Sequence, residues 1–103
     1  MKISIIGDVM LGRFVLEKYK NSPYAIVSDA VRKLFMHSDF VLANLESPIV
    51  TSTSNDSLKF SASDKLLDEV TFIHAFSLSN NHINDFGVEG MEETIIALEN
   101  KGF

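Results

Sequence analysis

Residues 39–48 read DFVLANLESP. The run is short, and apart from Asn44 it is apolar from Phe40 to Leu45. It ends at Glu46-Ser47-Pro48, where a proline limits continuation of a strand. These features predict a strand over Asp39–Leu45, and its neighbours decide the fold. Ile3–Ile6 is a β-branched run stopped by Gly7-Asp8, which predicts a buried strand near residues 2–7. Phe72–Leu78 predicts a third strand, near residues 72–79. Helical stretches lie between and after these runs. LGRFVLEKYK at 11–20 is the first. A second opens at Ser22-Pro23, since proline is tolerated in a first turn. Val27, Ala30, Val31, Leu34 and Phe35 fall on one of its faces. A short helix over Asp64–Val70 has Ser63 or Asp64 as its N-cap. The last helix, near 88–101, carries Val88, Met91, Ile95 and Leu98 as its apolar positions. Its first turns hold Glu89, Glu92 and Glu93, Lys101 lies near its end, and Gly102 suits the position just beyond. The resulting order βαβαβα is that of an α/β fold, a parallel sheet with helices packed on it.

Composition narrows the functional classes. A chain of 103 residues, 46% hydrophobic and 22% charged, is one small globular domain or part of a larger one. The net charge of −5 and the lack of a basic stripe argue against nucleic acid as a partner. There is no cysteine, which excludes disulfides and cysteine-type zinc sites. The opening MKISIIGD is too short for a signal peptide or a membrane span. The expectation is a cytoplasmic protein without a membrane segment. The segment TSTSNDS at 51–57 is a polar loop.

The polar residues cluster where the predicted strands end. Asp8 follows the first, Asn44-Leu45-Glu46 closes the second, and Asn80-Asn81-His82 closes the third. Ligands of open α/β sheets bind outside the carboxyl ends of the strands, so the three clusters are expected to share one edge. Carboxylate and amide oxygens are hard metal ligands, and imidazole suits transition metals. Paired divalent metals can clamp the attacking and leaving oxygens of a phosphate ester, with a nearby histidine as general acid. Asp85, three residues past His82, can accept the imidazole N–H and fix its tautomer; it can equally cap the last helix. Each residue also has a plainer role open to it. Asp8 suits a turn, Glu46 a solvated loop, and Asn80 and Asn81 a left-handed backbone. His37 suits a helix C-terminus, and His74 reads as a structural residue inside a strand.

Four segments, GDVMLGR at 7–13, DFVLANLESP at 39–48, LKFSAS at 58–63 and LSNNHINDFGVEGMEETIIAL at 78–98, together resemble the bacterial capsule or poly-γ-glutamate synthesis (CapA-like) family. That family is related in fold to calcineurin-like metallophosphoesterases. The resemblance runs along essentially the whole chain. It implies a βαβαβα fragment of a layered metallophosphoesterase-like sandwich, with residues 1–103 as a single partial domain, the N-terminal portion of the family's domain. It also implies a divalent metal (Mn, Fe, Zn or Mg) held by Asp8, Glu46 and Asn81. His82 would be the acid near the phosphate, and Arg13 an anion contact. Two departures stand out. Met10 occupies the place where a metallophosphoesterase has a metal-binding histidine, and His37 and His74 do not fall where further ligands would be needed.

Three functions follow as expectations. The first is a metal-dependent, phosphoesterase-like enzyme of capsule or poly-γ-glutamate biosynthesis, acting on an anionic polymer or phosphate ester. The second is a non-catalytic scaffold or polymer-binding component with the same fold. The third, an esterase with a Gly-Asp-Ser nucleophile, is disfavoured because Val9 stands where the serine would be. With a partial core, the chain is expected to pair with a second copy or with a missing C-terminal part of the domain.

Overall fold

The computed structural model describes residues 1–103. Three strands form one parallel sheet in the order β1-β2-β3, with β1 at Ile3–Val9, β2 at Phe40–Leu45 and β3 at Ala75–Ser77. Helices α1 (Arg13–Tyr19) and α2 (Asp29–Phe35) connect β1 to β2, and a 3-10 helix (Asp64–Val70) precedes β3. Helix α3 (Gly87–Lys101) closes the chain. The fold is the expected α/β arrangement. No helix is long and apolar enough to cross a membrane.

The sheet is covered on one face. In β2 the side chains alternate, with Val41, Ala43 and Leu45 buried and Phe40, Leu42 and Asn44 less so. The buried face meets Leu66, Leu67, Val70 and Ile73 of the 3-10 segment, together with Leu11, Ile49, Ala62 and Leu98. All helices contribute to this one core: Leu16 and Tyr19 from α1, Phe35 from α2 and Ala97 from α3 pack against it. The other face is bare. Ile3 and Ile5 pair in register with Phe40 and Leu42, and Ile3, Ile5 and Phe40 are 53%, 76% and 38% exposed. The expectation that β1 is a buried strand is therefore corrected. It lies at the sheet edge with nothing on its outer face, and none of its residues is buried.

Strand β1 also runs past Gly7-Asp8, where the sequence predicts its end. Ile5 pairs with Leu42 but Asp8 with Asn44, three steps on β1 against two on β2. This is a bulge, uncommon in parallel pairs, and it moves every later side chain of β1 to the opposite face. It keeps Asp8 beside Asn44 rather than on the core side.

Other boundaries move for identifiable reasons. Helix α2 starts at Ser28, whose hydroxyl accepts from the Val31 N–H, and not at Ser22-Pro23. The stretch before it is held by Glu69, which accepts from the Ile26 N–H and the Arg32 guanidinium. Strand β3 is shorter than Phe72–Leu78 because the Ile73 N–H still bonds Val70 in the preceding turn. At His74 the main-chain N–H donates to Val41 O, while the Val41 N–H donates to His74 Nδ1 at 3.0 Å. An imidazole thus takes the place of a carbonyl at the start of the pairing.

Helix α3 buries only one of the large apolar residues that mark its face, Leu98. Its buried positions are Gly90, Thr94 and Leu98, whereas Val88 and Ile95 are exposed. The cause is polar docking. Thr94 Oγ1 accepts from the Ile49 N–H (3.0 Å) and donates to Gly90 O (2.7 Å), and Glu93 accepts from the Thr51 N–H. At Gly90 a Cβ would stand 2.5 Å from Phe86 Cβ, so glycine leaves room for Phe86 at the start of the helix, with Val50 at an ordinary 3.5 Å across the contact. Gly102 is left-handed and ends the helix. Lys101 donates to both Asp68 oxygens, tying α3 to the 3-10 helix, and that hydrogen bond holds the ammonium above its ordinary pKa.

Candidate functional site

The strand ends converge as the order of elements predicts. Asn44, on the less buried face of β2, donates through Nδ2 to Asp8 Oδ1 and to Glu46 Oε2, each at 2.8 Å. An amide NH2 group between two carboxylates offsets their mutual repulsion, and it holds both at one edge of the sheet. Asn80 links this group to the loop after β3. Its Nδ2 donates to Asn44 Oδ1 (3.1 Å) and Leu45 O (2.9 Å), while its Oδ1 accepts from the N–H groups of His82 and Ile83. The second set is an Asx turn, which fixes the backbone that carries His82.

His82 Nδ1 lies 2.9 Å from Asp85 Oδ2. The same oxygen accepts the Phe60 N–H at 2.7 Å. An ionised carboxylate only accepts, so Nδ1 bears the proton and Nε2 points the other way. There it meets Glu46, with Oε1 3.7 Å from Nε2. The side chains of His82 and Asp85 are 16% and 13% exposed, so they are largely enclosed yet reachable. Asp85 does not cap α3. The N-cap is Phe86, without a side-chain bond, and of the two roles open to Asp85 the geometry selects the histidine.

Arg13 approaches from the other side. Its guanidinium carbon lies 5.3 Å from the centre of the Phe60 ring, and that ring is stacked on His82. Arg13 has φ of 55°, a left-handed conformation that costs a non-glycine residue about 1–2 kcal/mol. It follows Gly12, where a Cβ would come within 2.6 Å of Ser61 O. The backbone that carries Arg13 is thus held against the 58–61 segment, while its side chain is exposed; backbone strain of this kind gathers at functional sites. A cleft of about 360 Å³ opens beside Arg13, lined by Lys59, Ser61 and residues of the 53–57 loop.

Of the residues singled out from the sequence, Asp8, Glu46, His82 and Asp85 lie in one hydrogen-bonded neighbourhood and Arg13 at its margin. Asn81 does not join them; it is exposed and its side chain makes none of these bonds. The group is held together by Asn44 and Asn80, which the sequence places at the strand ends without a role in the site, and by Phe60, which it does not mark.

The chemistry of these donors suits a divalent cation, but their arrangement does not form a complete site for one. No three His, Asp or Glu side chains are grouped to hold a metal ion. Asn44 also turns its amide nitrogen, not its oxygen, toward both carboxylates.

Comparison with known proteins gives the family. The family described as bacterial capsule synthesis protein PGA_cap matches residues 2–103. The chain belongs to that family. Among relatives of the PGA_cap chain is the PGA biosynthesis protein CapA of Bacillus subtilis (strain 168), 28% identical over 108 residues, covering 92% of this chain and 27% of that protein. Another is the capsule biosynthesis protein CapA of Bacillus anthracis, 28% identical over 108 residues, covering 96% of this chain and 26% of that protein. This PGA_cap chain therefore spans about a quarter of the length of these relatives.

Proposed function

We propose that this chain contributes a phosphoesterase-like site to capsule or poly-γ-glutamate biosynthesis, with His82 as the proton-transferring group. The supporting observation is the His82–Asp85 pair, whose Nε2 faces Glu46 next to the Asp8–Asn44–Glu46 group. Asp85 keeps the proton on Nδ1 and fixes the ring. Nε2 is then the atom that gives a proton to a leaving oxygen or takes one from an attacking hydroxyl. Arg13 supplies a positive charge for an anionic group arriving over Phe60. The substrate class is a phosphate ester or an anionic polymer. Asp8 and Glu46 repel such a substrate, so a divalent cation belongs to the proposal. It would be held by these two carboxylates together with donors beyond this set, and its chemistry is charge neutralisation and polarisation of a phosphoryl oxygen.

A second reading, a non-catalytic scaffold or polymer-binding component, is favoured by the Asn44 amide between the carboxylates and by Met10 in place of a histidine ligand. The first reading is tested by NMR of the histidine ring and arginine side-chain resonances during titration with inorganic phosphate in magnesium. The first reading expects saturable shifts at His82 and Arg13, diminished by Arg13→Ala. Phosphate that leaves both unmoved would support the second.

A further inference from the structure

We infer that Phe60 is a positioning residue for the His82–Asp85 pair, acting on both members at once. This inference rests on the reading of His82 as the proton-transferring group. Phe60 sits at the end of the polar stretch TSTSNDSLKF, in neither helix nor strand. Its surroundings explain why an aromatic residue is there. The ring is half-buried but is not part of the apolar core or of the residues packed against it. It lies instead on the His82 imidazole, with centroids 3.7 Å apart and planes 18° from parallel. Meanwhile the Phe60 N–H donates to Asp85 Oδ2, the oxygen that His82 Nδ1 also contacts.

The two contacts do different work. The main-chain bond gives Asp85 Oδ2 a second donor beside His82 Nδ1 and keeps the carboxylate from turning away. It needs no particular side chain. The ring limits the imidazole to one plane, so that with Nδ1 on Asp85, Nε2 is directed at Glu46. A hydrogen bond alone leaves His82 free to pivot about the Nδ1–Oδ2 axis, and a flat face 3.7 Å away removes that freedom. The loop that carries Phe60 is in turn seated by the close approach of Gly12 to Ser61 O. A loop with no catalytic group of its own thereby sets the aim of one.

The test is NMR of the histidine ring in the folded chain. In the wild type, NOEs are expected between the Phe60 ring protons and the His82 Hδ2 and Hε1 protons. Their absence would overturn the inference whatever the variants do. Phe60→Leu keeps the main-chain N–H, so the ring nitrogens should still report a proton on Nδ1. The His82 ring protons should move downfield as the shielding of the stacked ring is lost, while the amides of Val41 and Leu67 stay in place. Phe60→Tyr should restore the upfield positions. If Phe60→Leu leaves the His82 ring protons where they were, or Phe60→Tyr fails to restore them, Phe60 does not position His82. None of these readouts uses phosphate or turnover, so the positioning can stand or fall separately from the proposed function.

Discussion

Asn44 donates both amide hydrogens to carboxylates and accepts from Asn80 at its oxygen, so one small side chain connects all three strand ends. Substitution with aspartate removes two donors and adds a third negative charge in the same place. Asn44→Asp is expected to lower stability by roughly 1–3 kcal/mol, the cost of leaving polar partners unpaired. The loss should be recovered in magnesium chloride but not in sodium chloride of equal ionic strength, because three carboxylates can share a cation. Thermal melts of wild type and variant in the two salts check this. A variant as stable as wild type in sodium chloride would show that the amide bridge contributes little. At this scale the sequence displays which residue types gather at the strand ends, but not which of two adjacent asparagines turns inward. That depends on the Asx turn at Asn80, which occupies its oxygen with the N–H groups of His82 and Ile83 and leaves Asn81 outside. The partnership of Asp8 with Asn44 depends on the bulge in β1, whose one local sign in ISIIGDV is Gly7, a residue that equally suits the end of a strand.

Helix α3 shows where periodicity succeeds and where it stops. Its existence and its end at Gly102 follow from sequence, through the spacing of apolar residues and a glycine able to adopt left-handed geometry. The buried face follows only at Leu98, because the rest of its buried positions are a glycine and a threonine, which a count of large apolar residues passes over. Thr94 is fully enclosed and serves two main-chain groups at once. Thr94→Val keeps the shape and removes the hydroxyl, leaving the Ile49 N–H without a partner. A loss of about 1–3 kcal/mol is expected in chemical denaturation. Equal or greater stability would mean that packing alone docks the helix. The same limit applies to β3. Phe72–Leu78 has strand composition throughout, but the 3-10 turn retains Ile73, and the side chain of His74 replaces a main-chain acceptor. The second is not visible as a pattern because it depends on where Val41 lies.

At the scale of the whole molecule, the sheet has a core on one side and open apolar surface on the other. Ile3, Ile5 and Phe40 stand on that open face, and β1 and β3 are both unpaired edges. Val88 and Ile95 on α3 and Leu34 on α2 add further exposed apolar area. Removing apolar surface from water is favourable by roughly 25 cal/mol per Å², and an open strand edge offers unsatisfied main-chain groups to a partner. The relatives are about four times the length of this chain, so the open face need not be bare in a longer protein. For these 103 residues on their own, we expect self-association through the outer face of the sheet. Ile5 is the position to change. It is the most exposed of the three, and its side chain reaches neither the core nor the His82 neighbourhood. Ile5→Lys places a charge in the middle of the apolar patch and on the edge strand, where lysine opposes edge-to-edge pairing. In light scattering across a wide concentration range, the wild-type mass should rise with concentration, and the Ile5→Lys mass should stay at that of a monomer. A wild type that remains monomeric throughout would show that solvent alone is tolerated on this face. Association undiminished by Ile5→Lys would move the contact to the exposed faces of α2 and α3.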